Sequence, residues 1–212
     1  MPSEPIVLLG ASGHAKMVIE ACRSTQAWRI VCCLDRQPRC SKLLGVDVLS
    51  ESPEAIDRAI EDGQWFLVAI GDNGLRERLS QSLAARGARL ATVVSSCAYV
   101  SPSACLGPGT VVMPMAAIGA STTIGAGCII NTSASIDHDG WVEPYVHIAP
   151  GSHLAGNVRV GIGAMLGIGC SVIPEIEIGE WSIIGAGSTV IRHVPPRSKW
   201  VGSPARSIGE NA

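Results

Sequence analysis

The chain has 212 residues, with 16 basic and 18 acidic side chains and a formal net charge of −2. That balance offers no electrostatic attraction to nucleic acid or to an anionic membrane, and no stretch approaches the ~20 apolar residues of a membrane span. Hydrophobic residues make up 47% of the chain but aromatic ones only 4%, so its core must be built from aliphatic side chains.

The first elements alternate between strand and helix. Ile6–Leu9 reads as a buried strand, followed by the turn Gly10-Ala-Ser-Gly-His14 and a helix over 15–24 with apolar residues at Ala15, Val18, Ile19 and Cys22. Ile30–Leu34 is a second strand ending at Asp35, and Phe66–Ile70 a third ending in Gly71-Asp-Asn73. A helix over Leu75–Arg86 stops at Gly87. Such alternation predicts a small parallel, Rossmann-like α/β domain over residues 1–93. Its ligand edge lies at the carboxyl ends of the strands, near 10–14, Asp35 and 71–73. The N-terminal stretch lacks the basic start and apolar run of a secretion signal. The eight cysteines, with no C-x-x-C pair among them, are therefore expected to be reduced thiols in the cytoplasm.

From Val94 to Val190 every sixth residue is Ile, Leu or Val. A short period held this long means a stacked repeat. The residue four places after each aliphatic is mostly small, as at Ala98, Ala104, Thr110, Ala116, Cys128 and Ala134. One wide and one narrow inward residue per six predicts a three-sided coil of eighteen residues over 94–195. Residues eighteen apart then lie one strand spacing, ~4.8 Å, from each other. Outward aliphatics at Val111, Ile129, Met165 and Ile183 call for a covering partner, and three prisms side by side would supply it.

Among the five histidines, His138 stands apart because it sits in Asp137-His-Asp139. A carboxylate can hold one imidazole nitrogen and raise the basicity of the other, as a general base near neutral pH requires. Eighteen residues further on is Gly156, so the coil places a position without a side chain beside His138. His147 precedes an inward aliphatic and is expected to face outward. His153 and His193 are left as structural or unassigned. The spacing of His138, His147 and His153 puts no two in one column, which argues against a metal enzyme of the γ-carbonic-anhydrase type, and no metal is expected.

The [Ile/Leu/Val]-Gly starts at 106, 118, 124, 178 and 184, the ending Val201-Gly-Ser-Pro-Ala-Arg206, the turn Gly10-Ala-Ser-Gly-His14, Ile136-Asp-His-Asp139 and His147-Ile-Ala-Pro-Gly151 belong together. In combination they resemble the NeuD/PglD-type sugar acetyltransferases of the hexapeptide-repeat superfamily. The resemblance implies a left-handed parallel β-helix with a C-terminal tail, 196–212, lying over the site of acetyl-CoA. It makes His138 the catalytic base and Asp139 its orienter, and gives a backbone amide at Gly156 to the acetyl carbonyl. His147, Ile168 and Ala186 match acetyl-CoA contacts, His147 across a subunit boundary of a homotrimer. Ser12, Gly13, His14, Asp35, Arg36 and Gly71 match contacts to a nucleotide-sugar. The expected reaction is N-acetylation of the 4-amino group of a nucleotide-linked amino-deoxy sugar. O-acetylation of a sialic acid and a non-catalytic sugar-nucleotide-binding protein are the alternatives. The chain departs from the pattern at Gly140-Trp141 and Glu143-Pro144, beside the base, which bears on the choice of sugar.

Overall fold

The computed structural model describes residues 3–211; residues 1, 2 and 212, the outer ends of the expected N-terminal domain and C-terminal tail, lie outside it. The α/β half runs β1 (Glu4–Leu9), α1 (Gly13–Arg23), β2 (Trp28–Asp35), β3 (Lys42–Leu43), β4 (Val46–Ser50), α2 (Pro53–Glu61), β5 (Trp65–Val68), α3 (Asn73–Ala85) and β6 (Arg89–Leu90). The sheet order is β3-β4-β2-β1-β5-β6, parallel except for the β3–β4 hairpin. The sequence reading assigns no element between Asp35 and Phe66, where the structure has β3, β4 and α2. Yet α2 carries a plain start signal: Ser52 caps it by accepting from the Ala55 N–H at 3.2 Å, with Pro53 at the first helical position.

One face of the sheet packs on α2 and α3 through Val7, Leu9, Leu34, Phe66, Ile56 and Leu83. The other packs on α1, and this core continues without a break into Val93, Val111, Met113 and Ile129 of the second half.

That second half is the expected three-sided coil. Two-residue strands recur every six positions from Val93–Val94 to Thr189–Val190 and pair in parallel with partners eighteen residues away, as Ile129 with His147 and Ser135 with His153. The first face stacks Val93, Val111, Ile129, His147, Met165 and Ile183; the second Tyr99, Ala117, Ser135, His153, Ser171 and Thr189; the third Cys105, Thr123, Trp141, Arg159 and Glu177. The inward aliphatics from Val112 to Val190 form one core with the small residues between them. The tail forms an antiparallel pair, Ser198–Val201 with Arg206–Glu210, which extends the first face. Between these strands Ala205 N–H binds the Thr189 carbonyl at 2.8 Å, so the tail closes the end of the prism.

The outward aliphatics require a correction. Val111 and Ile129 are 2% and 0% exposed within a single chain, because α1 lies across the first face and covers them. Met165, further along the same face, stays exposed, and Ile183 beyond it is half-buried.

Candidate active site

His138 occupies the turn between the second and third faces. Its Nδ1–H donates to Asp139 Oδ2 at 2.7 Å, which leaves the Nε2 lone pair facing out. The side chain is 56% exposed. The Asp139 hydrogen bond first, and the charge of Asp137 after it, hold its pKa above the ordinary histidine value. The turn is pinned from both sides: the His138 N–H donates to Asp137 Oδ1 at 2.8 Å, and the Asn157 N–H binds the His138 carbonyl at 3.0 Å. Asp139 has φ +56, a conformation that Asp and Asn tolerate better than most residues.

Gly156 lies buried beneath the imidazole. A Cβ there would stand 2.5 Å from both Cε1 and Nε2 of His138. The positive φ of this turn falls on Asn157, at +60, so Gly156 is dictated by space and not by backbone conformation. Among the described residues the N–H groups of Gly156, Ile168 and Ala186 donate to no internal acceptor. Ile168 and Ala186 stack eighteen apart at the turn between the first and second faces, both exposed. The second face thus separates them from His138. A shallow cleft of about 470 Å³ runs along that face, lined by Ser135, Asp137, His153, Ala155 and Ser171.

His147 projects from the first face, as its outward position requires, but onto its own α/β half. It is 9% exposed and its ring centroid lies 6.5 Å from that of His14. Asn131 Oδ1 accepts from the Thr132 N–H at 2.9 Å, which turns its amide nitrogen toward His147 Nε2 at 3.0 Å. Nε2 therefore accepts, and the ring proton sits on Nδ1. Among the described residues neither that buried N–H nor Nε2 of His14 has a well-formed hydrogen bond, although the Gly71 backbone lies close enough to His147 to favour its charged form. Burial, with the Arg76 charge nearby, pulls His14 down to about 4 and His147 to about 3.

Arg76 was not singled out by the sequence reading, yet it organises this junction. It is 1% exposed and donates to the carbonyls of Ile70 and Gly71, to Asn73 Oδ1, and across to the carbonyls of Gly127 and Tyr145 in the coil. Asn73 Nδ2 reaches the Gly163 and Ala164 carbonyls at 3.0 and 3.2 Å. The inward stripe of α3 reads Asn73, Arg76, Ser80, Leu83. Helical spacing with polar residues on the buried side was the available signal.

The six residues matched to a nucleotide-sugar separate into two groups. Ser12, Gly13, Asp35 and Arg36 line a cleft at the start of α1. Asp35 also braces that cleft, accepting from the Ala11 and Gln37 N–H groups, each at 2.8 Å. His14 and Gly71 instead face the junction with His147 and Arg76. Trp141, half exposed, stands on the third face in column with Arg159 and Glu177.

Residues 5–83 match the model of the PglD N-terminal domain family. The chain is 40% identical to PerB from Caulobacter crescentus, solved in complex with CoA and GDP-perosamine; the match covers 97% of each chain with a TM-score of 0.91. It is 31% identical to the acetyltransferase domain of PglB from Neisseria gonorrhoeae, solved with acetyl coenzyme A, covering 97% of this chain and 100% of that one with a TM-score of 0.91. Putative acetyltransferases of Staphylococcus aureus are 38% identical over 64 residues; that alignment spans 32% of their length. A small parallel-sheet domain leading into a left-handed β-helix is the architecture of a hexapeptide-repeat acyltransferase. The chain belongs to the PglD-type sugar acetyltransferases of that superfamily.

Proposed function

We propose that the protein transfers the acetyl group of acetyl-CoA to the 4-amino group of a nucleotide-linked amino-deoxy sugar, in the cytoplasm and as a homotrimer. The observation that carries this reading is the His138–Asp139 pair lying over Gly156, whose N–H has no internal acceptor. Its Nε2 takes the proton from the attacking amine as the nitrogen–carbon bond forms. The Gly156 N–H donates to the oxygen that becomes negative in the tetrahedral intermediate. Collapse breaks the carbon–sulfur bond, and the imidazolium returns its proton to the CoA thiolate. Acetyl-CoA fits the open second face, with Gly156 at one edge and the free N–H groups of Ile168 and Ala186 at the other edge, supplied by the same or a neighbouring copy. The nucleotide fits the cleft of Ser12, Gly13, Asp35 and Arg36.

The relatives support both co-substrates, since PerB is solved with CoA and GDP-perosamine and PglB with acetyl coenzyme A. The deciding experiment is CoA release, followed by a thiol-reactive dye, across UDP-, GDP- and dTDP-linked 4-amino sugars. Turnover on one of these, with little on the free sugar, is expected. Remote binding energy from the nucleotide positions the amine. Equal turnover on free sugars or on sialic acid would overturn the assignment.

A further inference from the structure

Next to the cleft at the start of α1 lies a second one, of about 540 Å³, that shares Ser12, Asp35 and Arg36 with it. The two form one trough across the carboxyl ends of β1, β2, β4 and β5. Its far end differs in character from the near end. The near end offers the first N–H groups of α1, where Ser12 makes no side-chain cap, together with Arg36 and Arg39. That is an environment for phosphates. The far end is walled by Ile56, Ile70, Leu75 and Leu79, with Leu75 substantially exposed. A flat apolar ring system would cover those side chains. Asp35, between the two ends, is placed for the sugar hydroxyls.

Two charged groups, Glu51 and Arg86, break the apolar wall. Glu51 follows β4, and its N–H is tied to the Asp35 carbonyl at 2.9 Å, which fixes its backbone at the rim. Among the described residues its carboxylate has neither a hydrogen-bond nor an ion-pair partner. The arginine that also lines this end, Arg86, is already engaged by Asp57 and the Pro53 carbonyl. Glu51 is therefore an acceptor-only group waiting at the base end of the trough.

We infer that Glu51 selects the base of the nucleotide-sugar and that the base it selects is guanine. The inference rests on the nucleotide reading proposed above and narrows it. Guanine presents two adjacent donors on one edge, N1–H and the N2 amino group, which match the two oxygens of a carboxylate. Uracil and thymine present a single N3–H flanked by two carbonyl oxygens, which a carboxylate repels. Adenine offers one amino group beside an acceptor nitrogen. A partly enclosed carboxylate left without its donors is costly, so the site rejects bases that lack them.

Calorimetric titration of the intact protein with GDP, UDP and dTDP tests this without any acetyl transfer. GDP is expected to bind tightest. Glu51→Ala should weaken GDP binding about ten- to a hundredfold, the loss of a charged hydrogen bond, while UDP and dTDP stay within about twofold. Glu51→Gln, which keeps the shape, should lose less. UDP or dTDP binding the native protein as tightly as GDP would overturn the choice of base alone. So would an equal loss for all three nucleotides in Glu51→Ala. Binding of none of them would overturn the nucleotide reading of the domain as well.

Discussion

At the scale of single residues, the turn holding His138 allows the proposed base to be removed cleanly. The side chain is exposed, so His138→Ala leaves no cavity, and the melting temperature should hardly move. Turnover should fall by about 10²–10⁴, the usual contribution of a general base; a loss of only a few-fold would reject the mechanism. Asp139→Asn is the sharper probe. Asn accepts φ +56 as readily as Asp, so the backbone survives while the charge goes. Because the Asp139 hydrogen bond is the leading cause of the raised His138 pKa, the acid limb of the kcat/KM profile should move to lower pH in this variant. In the native enzyme that limb should sit above the ordinary histidine value, activity rising as His138 loses its proton. Gly156→Ala should act through the same ring. Its methyl group would displace the imidazole and lower kcat, with little change in stability. His138 was legible from its two flanking carboxylates, and Gly156 beneath it from spacing, because a period of eighteen fixes which residues stack. The surroundings of His147 were not, since periodicity says that a residue faces outward but not what lies against that face.

At the scale of elements, α3 is the piece that the sequence reading placed correctly and interpreted least. The sequence reading of the helix over 75–86 assigns no role to the arginine in its first turn. In the fold, Arg76 spans two coils and satisfies carbonyls on both halves, and nothing in the helix pattern names those partners. Arg76→Leu should therefore cost several kcal/mol, on the order of 3 or more, by leaving carbonyls buried without donors; a loss below about 1 kcal/mol in denaturant unfolding would contradict the stapling role. The junction also makes the protein sensitive to acid. His14 and His147 are held neutral down to about pH 4 and 3, whereas in the unfolded chain both take up protons near the ordinary value of 6.5. The unfolded state thus binds more protons across that interval, and stability falls as pH drops from about 6.5 toward 4. His147→Gln should flatten this dependence in a series of melting temperatures. An unchanged slope would mean that other groups control it.

At the scale of the whole molecule, one chain keeps its chemistry apart. His138 and Gly156 stand on the edge between the second and third faces, while the first face, opposite that edge, is covered by the α/β half, which carries the cleft of Ser12, Asp35 and Arg36. No bend of a stacked, continuously hydrogen-bonded prism brings that edge round to its own cleft. In the proposed homotrimer a neighbouring copy would supply it, if the edge of one prism faces the α/β half of the next. Several of the exposed apolar residues of the coil lie along this route, Met115, Met165, Ile168 and Ile173 among them, whereas Trp141 stands on the third face. A closed ring of three also gives each prism the same two contacts. Light scattering at micromolar concentration should return three times the mass of the chain. A stricter test mixes His138→Ala, expected to lose proton transfer, with Asp35→Ala, expected to bind the nucleotide-sugar weakly, after unfolding and refolding them together, and assays the mixture at a nucleotide-sugar concentration at which each variant alone shows little turnover. If base and nucleotide cleft come from different copies, random assembly pairs two intact halves at roughly a quarter of the interfaces, and about that fraction of native activity should return. If each chain serves its own site, every assembled site is impaired in one function and the mixture turns over no faster than the separate variants.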